Sequence, residues 1–261
     1  MKYLSFCFIM VEIKAMGLFL LCQFIWDKFV RGLSKLYYMI KGLVLNAKTQ
    51  SEHDKLITLY SYEWGKIQAI VPSAKKIAAK LSSATEPLTE SEFLVFNTHF
   101  AMRSKVIGAS IIKNNMRIKT DLNKNSYALY AAEISDKFTP FNLENSKKYD
   151  LIARIWEILE TCKYSKRALI AFILRFLKLS GYAFSDYLQR ANTFVSEDIK
   201  NTIKRLSSCS GDEVDCMCGV EDEQIWNCLE SYLTNYIPRP LLSVFFKKIG
   251  RYGNYFMHKI L

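Results

Sequence analysis

Histidine is almost missing. The 261 residues hold three, His53, His99 and His258, far apart and in neither an HxH nor an HExxH spacing. A histidine-based metal centre is therefore hard to assemble. Proline (5) and glycine (10) are also scarce, which excludes a collagen-like or low-complexity chain. The sequence has no GxGxxG fingerprint, phosphate-loop lysine motif or GxSxG elbow, so nothing points to nucleotide or acyl-transfer chemistry. Acids pair only locally, as Glu52 with Asp54, or Asp212, Glu213 and Asp215. A nuclease needs carboxylates converging on metal from several elements, and Glu52-His53-Asp54 reads as a polar turn. A binding protein is expected rather than an enzyme. Long apolar runs are lacking as well. The longest stretch without a charge, Ala15–Trp26, has 12 residues, short of the roughly 20 needed to cross a bilayer, and no small-residue cleavage site follows it. The seven cysteines are an odd number, too few for a disulfide scaffold, and suit a reducing, cytosolic compartment.

What is plentiful is positive charge and apolar surface. Lys plus Arg number 36 against 25 acids, for a net charge of +11, and hydrophobic residues make up 50%. That combination gives a packed core and an anionic partner, nucleic acid first and a membrane surface second. Residues 1–38 are apolar and aromatic with scattered charge. Three readings are open for them: an amphipathic surface segment, an N-terminal helix packed on the body, or a stretch outside the working protein, which then starts at Met39. The last is favoured, because the organised pattern begins there.

From Met39 onward the sequence predicts five short strands: Ile40–Ala47, Lys55–Tyr62, Lys66–Pro72, Ser91–Thr98 and Lys105–Ile112. Glu63-Trp64-Gly65 makes a tight turn between the second and third. Their β-branched and aromatic content and close turn spacing predict a small all-β barrel. After about Thr120 the period becomes helical. Apolar stripes predict helices over Ser126–Phe138, Tyr149–Glu160 and Asp222–Ile237. A nearly all-apolar helix, Lys166–Tyr182, ends at Gly181, and a short one follows at Leu241–Ile249. Between them, residues 185–221 are polar and poorly periodic and read as an irregular insert.

Two stretches carry cations without acids. One holds Arg103, Lys105, Lys113, Arg117 and Lys119; the other holds Lys163, Lys166, Arg167, Arg175 and Lys178. Lys66, Lys75, Lys76 and Lys80 lie in and after the third strand. These nine barrel-side cations, with Tyr62 and Trp64 near one rim, are candidate contacts for a phosphate backbone and its bases; the alternative is an ordinary solvated face. Trp64, at a hairpin corner, suits a core-capping role as well as a stacking one. Cys209, Cys216, Cys218 and Cys228 are the only cysteines grouped enough to ligate zinc. The single residue between Cys216 and Cys218 strains a shared tetrahedral ion, and Cys228 falls near the apolar side of its helix. No cofactor is expected.

The order of these elements resembles the RecO family of bacterial recombination mediators. MIKGLVLNAKTQSEHDKLITLYSYEWGKIQAIVPSAKK is similar to the family's opening, with Glu52, Asp54, Lys55 and Gly65 in place. SSATEPLTESEFLVF, DLNKNSYALYAAEISDKFTP, RALIAFILRFLKLSGYAFS and YLTNYIPRPLLSVFF resemble its later segments, through Pro87, Tyr127, Tyr130, Glu133, Phe138 and Gly181-Tyr182. The resemblance covers about 210 residues. It implies an α+β multidomain chain. An N-terminal OB-fold barrel spans 39–119. A helical domain follows over 120–184 and 222–261, interrupted by a degenerate zinc-type insert at 185–221. It further implies a non-enzymatic protein that binds single- and double-stranded DNA and anneals strands in the bacterial cytoplasm, associated with the nucleoid. Its implied partners are RecR, in some members RecF, and the C-terminal tail of the single-stranded-DNA-binding protein, with no membrane involved. Such a protein helps load the RecA recombinase. Lys166, Arg175 and Lys178 are candidates for holding that acidic tail. Two departures stand out. No Cys-x-x-Cys follows Gly181-Tyr182, which predicts a metal-free insert, and Leu242 stands where relatives tend to carry a lysine before Ser243. A different basic OB-fold protein, binding single strands or structured RNA without annealing, is the alternative; an enzyme and a membrane-surface protein rank below it.

Overall fold

The computed structural model describes residues 37–73, 81–96, 104–182, 184, 187–188, 196–208 and 222–237. Five strands come first: β1 (Tyr37–Thr49), β2 (Lys55–Ser61), β3 (Gly65–Val71), β4 (Glu90–Phe96) and β5 (Ser104–Lys113). They close into a barrel in the order β1-β2-β3-β5-β4. All neighbours run antiparallel except β3 and β5, which pair in parallel at Ala69–Ser104 and Ile70–Lys105. This is a five-stranded barrel of the OB type. The strand begins at Tyr37, two residues ahead of Met39, because Tyr37 and Tyr38 continue the ladder against Phe96 and Val95.

The barrel is filled by Ile40, Val44, Ile57, Leu59, Val71, Phe93, Val95 and Val106, all nearly inaccessible to water. Leu43-Val44-Leu45 is a continuous apolar run in β1, and all three side chains are buried. Val44 fills the barrel, while Leu43 and Leu45 join a second core beneath the helices. A strand covered on both faces loses the usual apolar–polar alternation.

The helices are α1 (Met116–Thr120), α2 (Leu122–Lys137), α3 (Ser146–Thr161), α4 (Ser165–Leu179), α5 (Glu197–Ser208) and α6 (Asp222–Thr234). Asp121 caps α2 by accepting from the amides of Asn123 and Lys124, and Asn145 caps α3 through the Lys148 amide. These side chains satisfy first-turn donors that lack helical partners. The centre is α4, with ten of its 15 residues buried. Its end is a Schellman turn: the Tyr182 amide donates to Leu177 and the Gly181 amide to Lys178, with Gly181 left-handed at φ +82°.

The insert expected to be irregular over 185–221 contains a helix. In α5, Ile199, Ile203 and Leu206 are buried at spacings of four and three, a single stripe on an otherwise polar segment. Polar composition hid it, because three apolar residues suffice to dock a 12-residue helix. Helix α1 also went unanticipated, being too short to show a period. The expected helix Leu241–Ile249 lies outside the described residues. Among those described, no helix is long and apolar enough to cross a membrane.

Two glycines have left-handed backbones but different surroundings. A Cβ on Gly65 (φ +68°) would sit 2.0 Å from the Leu143 carbonyl oxygen, whereas one on Gly181 meets nothing within 4 Å. Gly181→Ala is expected to cost about 1 kcal/mol, the left-handed penalty alone. Gly65→Ala should cost clearly more, because backbone must move. Urea denaturation of both variants checks this; equal losses would contradict it.

Candidate nucleic-acid interface

The nine barrel-side cations separate into groups once placed. Lys66 faces inward. Its ammonium donates to the Asp136 carbonyl at 2.6 Å, lies 3.3 Å from the Asp136 carboxylate and sits 4.2 Å from the centre of the Phe141 ring. Its side chain is 7% exposed, so it joins barrel to helices and cannot meet a phosphate. Lys113, half-buried, reaches Glu157 at 3.5 Å and Glu160 at 3.9 Å on α3. Lys119 donates to Asn114 at 2.6 Å and to Thr89 at 2.8 Å, with Glu86 at 3.4 Å. Burial lowers the Lys119 pKa, against an upward pull from Glu86. Lys105 and Arg117 stand exposed, with no ion pair among the described residues. Lys75, Lys76, Lys80 and Arg103 lie outside the described residues. Runs of cations in sequence thus conceal acidic partners that lie 33 to 70 residues away.

The expected aromatic pair divides likewise. Trp64 packs edge-on against Tyr38, ring centres 5.0 Å apart, as a cap on the barrel core. Tyr62 is 44% exposed but lies edge-to-face on Tyr149 at 5.3 Å. The Tyr149 hydroxyl donates to Glu90 at 2.9 Å, and that of Tyr60 to the Asn145 carbonyl at 3.2 Å. Burial pushes the Tyr60 pKa up to about 12. Burial, with the Glu90 carboxylate second, raises that of Tyr149 further. Both hydroxyls therefore remain donors across the seam between barrel and helices.

The second cationic stretch shows the same division. Lys166 pairs with Glu223, and Arg167 forms a two-oxygen contact with Asp222 at 3.0 and 3.1 Å, tying the start of α4 to the start of α6. Lys178 is exposed. Arg175 lines a small cavity of about 20 Å³ between α3 and α4, with Leu151, Ile155, Ile158, Ala168, Ala171 and Phe172 as its apolar lining and Arg154 across from it. Arg154 was not singled out from sequence, since it stands among the acids of α3; helical spacing from Leu151 and Ile158 is the signal that places it on the same face. Among the described residues no group of three His, Cys, Asp or Glu side chains could hold a metal. Cys209, Cys216 and Cys218 lie outside them, Cys162 is buried and Cys228 is half-buried.

The seam holds one further cation. Lys148 is 4% exposed, and its ammonium lies 5.3 Å from the Phe176 ring centre with no ion pair among the described residues. Burial lowers its pKa, with the Lys66 charge as the second cause. Between that lowered value and lysine's ordinary one the unfolded chain binds more protons, so the residue's contribution to stability rises with pH through this window.

Comparison with known proteins gives two family matches, "Recombination protein O N terminal" over residues 36–114 and "Recombination protein O C terminal" over 119–185. Together they cover more than half of the chain. Curated relatives include the DNA repair protein RecO of Clostridium perfringens, 33% identical over 143 residues, or 54% of this chain and 57% of the relative. That of Listeria monocytogenes is 29% identical over 115 residues, 44% of each chain. That of Geobacter metallireducens is 25% identical over 183 residues, 69% of this chain and 71% of the relative. The alignments with the first two span about half of each relative's length.

Two substitutions separate the buried cations. Lys66→Met strands Asp136 and should cost about 2 kcal/mol or more; Asp136 keeps 23% exposure, which holds the loss below that of a fully buried pair. Lys148→Met should stabilise the protein near neutral pH, the gain shrinking as pH climbs towards lysine's ordinary range. Urea midpoints of parent and variant at about pH 7 and about pH 10 read both effects. A Lys148→Met variant less stable than the parent at neutral pH would contradict this account.

Proposed function

The chain belongs to the RecO family, and on that premise we propose that it is a recombination mediator in DNA repair. It binds single- and double-stranded DNA, anneals complementary strands and helps place the RecA recombinase on coated single strands. The observation that supports this reading best is the closed five-stranded barrel with Lys105 exposed on β5 and Arg117 exposed on α1, the helix that follows it, in a chain of net charge +11. In this reading no covalent bond is made or broken. Annealing is slow because two polyanions repel, and a cationic barrel that neutralises phosphates lowers that repulsion while releasing counterions. The contacts assigned are Lys105 and Arg117, joined by Lys75, Lys76, Lys80 and Arg103. Lys113 and Lys119 contribute only after exchanging their present partners, and Lys66 is excluded by its burial.

The apolar surface around the small cavity between α3 and α4 supplies a second element of the proposal. An apolar lining with an arginine on either side suits a short peptide with an apolar end and acidic residues before it. We assign it to the C-terminal tail of the single-stranded-DNA-binding protein, with Arg154 and Arg175 as the charged contacts and Lys178 nearby. Lys166 is left out of that set because Glu223 occupies it, and Arg154 joins the set only by exchanging its Glu157 contact at 3.2 Å. RecR and, in some cells, RecF complete the partners, at the nucleoid in the bacterial cytoplasm.

Annealing of two labelled complementary oligonucleotides by the full chain tests the proposal, with strands bare or coated by the single-strand-binding protein and salt varied throughout. The expected result is acceleration that survives coating and falls steeply with salt. Lys105→Ala and Arg117→Ala should each weaken DNA binding and reduce the salt slope by about one. Arg175→Glu should abolish annealing of coated strands while sparing bare ones. DNA binding without annealing would favour a plain OB-fold binder of single strands or structured RNA.

A further inference from the structure

The outward face of β1, β4 and β5 carries an apolar and aromatic surface that the cationic contacts above do not use. Tyr37 pairs across the ladder with Phe96, and Phe96 with Lys105; Met39 pairs with Leu94, and Leu94 with Gly108. The two aromatic rings lie 5.0 Å apart at 50°. Tyr37 is 45% exposed, Met39 55% and Ile107 43%, and Leu94 and Phe96 are half-buried. Gly108 puts no side chain on this face, which leaves the Leu94 side chain uncovered on that flank. At one end Lys105 stands exposed beside Phe96. At the other, Lys41 lies opposite Glu92 across the strand pair, so the net cation is at the aromatic end.

An aromatic pair with a cation at its edge matches a flexible polyanion whose units carry flat apolar faces. We propose that Tyr37 and Phe96 form a stacking platform for unpaired bases of single-stranded DNA, with Lys105 on the adjoining phosphate. Duplex DNA cannot use the platform, because its bases are stacked inside the helix. The platform therefore confers a preference for single strands that phosphate contacts alone do not supply. It also keeps a captured strand's bases unpaired until its complement arrives. Trp64 packs on Tyr38 as a cap of the barrel core and Tyr62 on Tyr149 of the helices, whereas Tyr37 and Phe96 pack on each other on the outward face, with Tyr37 45% exposed.

This inference rests on the DNA-binding reading above, and the test separates the two. The full chain and its Tyr37→Leu, Tyr37→Trp and Lys105→Ala variants are titrated with a labelled poly-dT oligonucleotide, the same oligonucleotide with abasic sites along its length, and a duplex of equal charge. Tyr37→Leu is expected to weaken poly-dT binding about tenfold, within the range for one lost stack, with an unchanged salt slope and no effect on duplex or abasic strands. Tyr37→Trp should restore it. Lys105→Ala should weaken all three ligands and lower the salt slope. Tyr37 is largely exposed at a strand end, so the variant is expected to fold; its urea midpoint is measured alongside. If the parent binds abasic and normal strands equally, or Tyr37→Leu weakens duplex as much as poly-dT, the platform is refuted while the DNA-binding reading stands. If no DNA binds at all, both fail. If poly-dT binding is unaffected and the variant instead loses a protein partner in the coated-strand assay, the face belongs to that partner and the stacking proposal is overturned.

Discussion

A single enclosed ammonium holds the two halves of this protein in register. Lys66 leaves the barrel at the start of β3 and ends on Asp136 in α2, under the ring of Phe141. A charge so placed is costly unless every neighbour is in position, and the neighbours come from α2 and from the 139–145 loop. The backbone reinforces it: the Lys66 carbonyl accepts from the Asn142 amide at 2.9 Å, and Gly65 allows the 139–145 loop to approach where any side chain would collide. Tyr60 and Tyr149 add hydroxyl bonds on either side. The barrel and helices therefore meet through directional contacts, with Leu43, Leu45 and Leu88 completing an apolar core common to both.

That seam explains which cations are left for function. Each of Lys66, Lys113, Lys119, Lys166 and Arg167 has an acid from a distant element. The partly exposed pairs of Lys113, Lys119 and Lys166 contribute little net stability, and the enclosed cations of Lys66 and Arg167 fix registry, because removing one partner strands the other. Of the cations in the two basic stretches, Lys105, Arg117 and Lys178 are exposed with no ion pair among the described residues.

Much of the architecture was legible from sequence. Alternating β-branched residues marked all five strands to within a few positions, and apolar stripes marked α2, α3, α4 and α6. Gly181 announced its helix end because few residues other than glycine accept that backbone. What was illegible involved distance along the chain. Lys66 reads as one more basic residue until Asp136, 70 positions later, is seen to face it. Helix α5 was hidden by its polar majority, and Arg154 by the acids around it. Tyr37 lies ahead of the sequence pattern that opens at Met39, two residues into the strand. A cluster of like charges in sequence reports composition; only the fold decides which members are already spoken for.

The two-sided burial of Leu43-Val44-Leu45 has a bearing on how the chain comes into being. This strand is made before the elements that cover it: β4 pairs with it from Glu90 onward, and the helices that cover its other face follow later still. The ties across the seam span 59 to 85 positions. At about 5–20 residues per second of synthesis, the strand waits several seconds, uncovered, beside the ribosome. Long-range closure of this kind is slow, so the nascent protein depends on chaperones or on rapid pairing of β1 with β2 to keep that apolar ribbon from finding another chain first.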